Sequence, residues 1–146
     1  MKPMKKGFAA ALLASLVLVV ACNKGPTPMR VWGSVTFEGK ALPEGAITFI
    51  PISPHTGPST GGTITGGKYD IAANVGPFAG SEYRVEITAT RASGKMIPNT
   101  IGHGGGMLNV PEMYIPERYN ANSTLRASIS PEADKNQFDF TLVPGP

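Results

Sequence analysis

Ser59 and His103 are the side chains whose types and spacing come closest to a nucleophile and its base. Residues 57–61 read G-P-S-T-G, which fits a G-x-S-x-G elbow, and residues 103–106 read H-G-G-G, which fits an oxyanion-hole string. The elbow needs a strand before its serine and a helix after it, whereas here a proline-rich loop precedes Ser59 and a predicted strand follows. The two strings also occur in the reverse of their usual order. We therefore predict that the chain is not an enzyme.

Metal binding and covalent cross-linking have equally little support. His55 and His103 are the only 2 histidines, and no carboxylates cluster near them at the spacing of zinc ligands. An internal isopeptide bond needs a lysine in the first strand and an asparagine in the last. The first predicted strand has no lysine, and Asn136 only borders the last one. We predict no metal site and no cofactor.

Cys22 is the only cysteine, and it follows the pattern of an export signal. A basic start precedes an apolar run over residues 8–20, and a small residue stands directly before the cysteine. These three features are typical of a secretory signal peptide. A membrane-spanning helix needs about 20 apolar residues, and this run is shorter and ends in polar residues. We predict that residues 1–21 form a signal peptide.

The segment Val19-Val20-Ala21-Cys22 resembles the lipobox of bacterial lipoproteins. The resemblance implies that the Cys22 thiol carries a diacylglycerol, with fatty acyl chains such as palmitate, and that cleavage leaves Cys22 at the new amino terminus. The lipid bilayer is then the first expected partner. The next residue is an asparagine; since an aspartate there often marks retention at the inner membrane, the resemblance favours the outer membrane. Residues 22–28 form a short tether rich in proline and glycine.

The charge of the remaining chain is balanced. The whole sequence has 13 Lys+Arg and 10 Asp+Glu, and the signal removes three lysines and no carboxylate. No basic patch remains to indicate a nucleic-acid partner. A single cysteine excludes an intramolecular disulfide, although an exported protein is free to form them. Gly 18, Pro 14 and a charged fraction of 16% are typical of a turn-rich all-β domain.

Alternation of apolar and polar residues predicts one domain, residues 29–146, with about seven short strands. In the clearest strand, Tyr83, Val85 and Ile87 share one face, and paired glycines after residue 65 predict a tight hairpin. No segment has the period and caps of a long helix. This pattern favours a Greek-key β-sandwich. The predicted strands are residues 31–37, 46–51, 60–65, 68–72, 81–90, 125–129 and 138–142.

Residues 31–49 have the pattern V-x-G-x-V-x-F-x-G-x-x-L-P-x-G-x-I-x-F. This pattern resembles the opening of carboxypeptidase-regulatory-like, transthyretin-like domains, and most of the chain is similar to small bacterial lipoproteins that consist of a lipobox and one such domain. The resemblance implies a seven-stranded prealbumin-like sandwich without catalytic residues. In such a domain Gly33 permits close approach of a neighbour, and Gly39 permits a turn.

Residues 91–111 form a long stretch without strand alternation. Structureless segments beyond about 12–15 residues are uncommon unless they are functional or disordered. We expect an irregular connection that folds over one sandwich edge and protects it, with contact to a partner or glycan as the alternative. Trp32, the only tryptophan, is either exposed as a sugar-stacking side chain or buried under this stretch, and we favour burial. Trp32, His103 and Tyr114 are the candidate contact residues.

The sequence therefore predicts a lipid-anchored lipoprotein of the cell envelope, facing the periplasm or the surface. It would act as a non-catalytic structural or interaction module for an envelope protein. The alternative is a carbohydrate-binding module, for which transthyretin-like sandwiches have precedent. Clustered exposed aromatic side chains near Trp32 or Tyr114 would favour a sugar, and a flat apolar patch would favour a protein.

Overall fold

The computed structural model describes residues 25–53, 57–101 and 105–145. These residues form ten β-strands and three one-turn 3-10 helices, so the all-β prediction is confirmed. No helix within the described ranges has the length and apolarity needed to cross a membrane. The strands are β1 Val31–Phe37, β2 Lys40–Ala41, β3 Glu44–Pro51, β4 Thr60–Thr65, β5 Lys68–Ile71, β6 Glu82–Thr88, β7 Thr90–Pro98, β8 Met107–Met113, β9 Arg126–Ser128 and β10 Phe140–Leu142; the 3-10 helices are Ala73–Val75, Glu117–Tyr119 and Ala133–Lys135.

Eight of these strands form one curled sheet in the order β10-β1-β5-β4-β3-β6-β9, with β2 paired to β1. Neighbouring strands are antiparallel except for β1 and β10, which run parallel. Strands β7 and β8 form a separate two-stranded sheet. We call the eight-stranded sheet with its loops the body, and strands β7 and β8 the arm. A Greek-key, transthyretin-like connectivity of the body stays a prediction.

The core lies on the inner face of the curled sheet, because alternate side chains of each long body strand point there. Phe49 is its aromatic centre: the rings of Tyr69, Tyr83 and Phe138 lie 6.2, 6.5 and 6.5 Å from its own, between centroids. Burial raises the pKa of Tyr69, and its hydroxyl donates to the Phe138 carbonyl at 2.8 Å. Burial of each such side chain contributes about 1.5–3 kcal/mol.

Two glycine positions agree with the roles that the family resemblance implies for them. A Cβ on Gly33 would lie 1.8 Å from the Phe138 carbonyl oxygen, so only glycine lets the segment just before β10 approach β1 at this point. Gly39 has a φ of 74° in the turn between β1 and β2, a conformation that glycine adopts at no steric cost.

The prediction that residues 91–111 form an irregular connection is wrong, because most of this stretch is paired in the arm. The strand signal is weak there since neither face of the arm is buried, so no alternation develops. Gly94, Pro98 and Pro111 also suggest strand breaks, but a two-stranded sheet has only edge strands, where proline and glycine are tolerated. The pairing shifts register between Ala92 and Met96. The arm and the two-residue β2 account for the three strands beyond the predicted seven.

Candidate functional site

The candidate site lies on the outer face of the body, where β1, β5, β4 and β3 are adjacent. The register pairs Trp32 with Asp70 and Thr63 with Ala46, and the β4–β5 pairing brings Thr63 next to Asp70. The side chains of these residues point outward because their strand neighbours Val31, Ile64, Ile71 and Ile47 are buried in the core. A single row of outward side chains therefore crosses four strands.

Arg30 and Asp70 form a bidentate ion pair at one end of this row. Arg30 Nε donates to Asp70 Oδ1 at 2.8 Å, and Nη2 donates to Oδ2 at 2.5 Å. These hydrogen bonds lower the pKa of Asp70 and raise that of Arg30, so both side chains stay charged over the physiological range. The Arg30 guanidinium lies 4.9 Å from the centre of the Trp32 ring, within the range of a cation–π contact.

The row lies in two adjoining open depressions. The first, about 330 Å³, is lined by Trp32, Asp70, Thr63, Thr65 and other residues of β1, β4 and β5. The second, about 450 Å³, continues across β3 to the end of β6 and shares Thr63 and Thr65 with the first. We call the two together the trough. Both depressions are open to solvent, unlike the enclosed clefts that bury most of a small-molecule ligand.

Trp32 is half-buried in the trough, so the expectation of full burial is wrong, and the side chain is not fully exposed either. The indole contacts Arg30, and no arm residue lines its depression. Tyr114 lies elsewhere, at the base of the arm. Its ring packs edge-on against Phe37 at 5.7 Å between centroids, and the Arg91 guanidinium lies 5.3 Å from its centre. Since Trp32 and Tyr114 line separate depressions, they do not form one site.

The other candidate residues fall mostly outside the described ranges. Cys22, His55 and His103 are among them, so the structure bears neither on acylation nor on a histidine contact. Ser59 is exposed, and strand β4 begins directly after it. Across the described residues, no three His, Cys, Asp or Glu side chains are grouped as a metal site would require.

Arg30 and Asp70 carry no sequence signal that marks them as a pair, since 40 positions separate them. The alternation of Lys68, Tyr69 and Asp70 does predict that the aspartate points outward. Its position opposite Trp32 depends on the β1–β5 register, which the hairpin sequence alone does not determine.

Comparison with known proteins finds no match: no protein family, curated protein or solved structure is significantly similar to this chain.

Proposed function

We propose that this chain is a bacterial lipoprotein that displays a non-catalytic β domain from a membrane of the cell envelope, with the outer membrane favoured. The observation that carries the proposal is Cys22, which ends an apolar run and opens a short proline-containing tether. The resemblance to small lipoproteins with one transthyretin-like domain supports the same reading. Diacylglycerol and a further acyl chain together give firm anchoring, whereas one chain binds only marginally.

The geometry of the body is consistent with presentation away from the anchor. The tether joins the body beside the loop before β6, where Met29 N donates to the Pro77 carbonyl and Ala79 N donates to that of Thr27. Strand β6 runs from this loop to the start of the arm, a span of about 25 Å at strand rise. The arm therefore begins at the end of the body opposite the point where the tether enters.

Replacing the acylated side chain tests this proposal. We expect Cys22→Ser to abolish incorporation of labelled palmitate and to leave the chain uncleaved or released from membranes. The measurements are membrane fractionation and mass spectrometry of the amino-terminal peptide. Asn23→Ser is the matched control, because it alters the adjacent residue and keeps the thiol. A Cys22→Ser protein that fractionates and acquires label like the native chain would contradict the proposal.

A carbohydrate-binding module is the second candidate, and the position of Trp32 on the outer face of the body supports it. A half-buried aromatic ring in an open depression, beside paired charges and threonine hydroxyls, offers both the apolar and the polar contacts that a sugar ring makes. A glycan array probed with the purified protein separates a sugar ligand from a protein partner. Absence of binding to every glycan would remove this candidate and leave the lipid-anchored module.

A further inference from the structure

We infer that the trough binds a neutral glycan chain that crosses strands β1, β5, β4 and β3, with Trp32 at one end. This inference rests on the second candidate function above and identifies its site and ligand class.

The apolar contact comes from Arg30 and Trp32, which lie next to each other. The guanidinium is held by its two hydrogen bonds to Asp70 and lies over the indole, 4.9 Å from its centre. Side-chain exposures of 52% for Arg30 and 54% for Asp70 leave this surface open to a ligand. A sugar ring presents flat C–H faces, which pack against planar aromatic and guanidinium groups.

The polar contact comes from donors and acceptors that lie side by side. A vicinal diol donates and accepts at neighbouring oxygens, and the Arg30–Asp70 pair offers the complementary arrangement. Arg30 has five N–H donors, of which two are used on Asp70, and each carboxylate oxygen keeps accepting capacity. The hydroxyls of Thr63 and Thr65 extend this set along β4, and both threonines are exposed.

The length of the trough favours a chain of linked sugars over a single one. The outward row continues from Trp32 through Asp70, Thr63 and Ala46 to Thr88. Its four interstrand steps of about 4.8 Å span roughly 19 Å. Ala46, the fourth of the five residues in this row, has a small side chain that leaves room for a linear chain to lie across it.

The charges around the trough favour a neutral ligand. Lys68 and Glu44 are exposed on the adjacent row, where each pairs with Thr65. Together with Arg30 and Asp70 they give two cations and two carboxylates around the trough. A polyanion would be attracted by the two cations but repelled by the two carboxylates. A polycation would be attracted by the carboxylates but repelled by the cations. A neutral chain has no such conflict.

The single tryptophan makes the test direct, because all tryptophan fluorescence of the chain comes from Trp32. The full-length protein, held in a detergent without a sugar headgroup, is titrated with cellohexaose, xylohexaose, mannohexaose and chitohexaose. We expect a saturable change in fluorescence with at least one of them. Calorimetry should give the same affinity, and should show a loss of about tenfold or more for Trp32→Ala.

Two further variants locate the ligand. Asp70→Asn keeps the shape of the pair but removes the charge that orients Arg30, so affinity should fall several-fold while the circular dichroism spectrum is unchanged. Tyr119→Phe is the matched control, since it alters an aromatic side chain that lines neither depression of the trough and should bind like the native protein.

Three outcomes would overturn the inference. These are no saturable response to any of the four oligosaccharides, native affinity in Trp32→Ala, and, in a parallel titration with oligogalacturonate, a response to that polyanion alone. None of them bears on anchoring, which depends on Cys22 and is measured by fractionation. Conversely, a chain that proves not to be acylated can still be titrated, so the two proposals fail independently.

Discussion

The body and the arm are built from the same type of strand but differ in what their side chains bury. In β3 and β6 of the body, Ile47 and Ile87 have 0% exposure. In the arm, Ile97 retains 41% and Met107 55%, and Ser93 and Val110 are the only residues of β7 and β8 that are even half-buried. Both regions are thus held by backbone pairing, whereas apolar burial is confined to the body.

This difference separates two contributions that usually occur together in β-sheets. Hydrogen bonds between strands fix the path of the chain, but each one adds only a small net stability because unfolded backbone bonds to water. Burial of apolar surface supplies most of the driving force, and an isolated two-stranded hairpin is marginal in water. We therefore expect the body to unfold as a cooperative unit and the arm to open locally at much lower cost.

Truncating the centre of the core should produce the largest effect. Phe49→Ala removes a ring that is 0% exposed and should lower the free energy of unfolding by about 3–5 kcal/mol, measured by urea denaturation. Ile97→Ala is the matched truncation in the arm and should change it by less than about 0.5 kcal/mol. Equal losses in the two variants would show that the arm contributes to the same cooperative core.

The two glycines Gly33 and Gly94 provide the second test. Gly33→Ala places a methyl group against the Phe138 carbonyl, so the segment that leads into β10 must move away from β1, at a cost of about 3 kcal/mol. Gly94 has a φ of 77° and open space around its Cα, so Gly94→Ala strains only the arm. Gly94→Ala should then lower the global free energy of unfolding by less than about 1 kcal/mol. Thermal unfolding at fixed pH measures the stability of both variants. A larger loss for Gly94→Ala would contradict local opening of the arm.

The sequence predicts the body well because burial leaves a period-2 pattern in it. Strands β1 and β4 begin and end at the predicted residues, and the paired glycines after β4 have φ values of 57° and 77° in the predicted hairpin turn. The sequence does not predict the arm, because the strands of the arm are held by backbone pairing. Backbone pairing without burial leaves no alternating pattern of side chains in the sequence.

The candidate site is only half predictable from the sequence. Trp32 stands out as the single tryptophan, and its alternation with the buried Val31 indicates that it points outward. Arg30 and Asp70 become its neighbours only through the pairing of β1 with β5. Such long-range register depends on how the whole sheet assembles, so a site shared by several strands is not visible in any one segment.

Acidic pH should weaken the contact between β1 and the residue that directly precedes β10. Asp139 Oδ1 accepts from the Ser34 amide at 2.7 Å and from its hydroxyl at 2.8 Å, and these hydrogen bonds lower the pKa of Asp139 below the ordinary 3.8. The Asp139 carboxylate therefore binds a proton less tightly in the folded state than in the unfolded state. Its contribution to stability is complete above about pH 4 and is lost as the pH falls through the lower pKa of the folded state.

Urea denaturation at pH 7 and pH 2.5 measures this loss. Asp139→Asn removes the titrating group, so the variant should lose less stability on acidification than the native chain does. Asp134→Asn removes a carboxylate that has no such hydrogen bonds among the described residues and is the matched control. Parallel loss of stability in the native chain and in Asp139→Asn would exclude this carboxylate as a contributor.

The smallest expected effect is at the base of the arm. Arg91 Nε lies 2.7 Å from Glu112 Oε1, with side-chain exposures of 64% and 45%, and ion pairs this exposed contribute little to global stability. Arg91→Gln should therefore leave the urea midpoint unchanged and yet raise amide hydrogen exchange in β7 and β8 by about two- to fivefold. Exchange in β3 and β6 should not change, because those strands open only when the body unfolds. If exchange rose equally in both regions, the arm would be part of the cooperative body, and burial would not be what separates them.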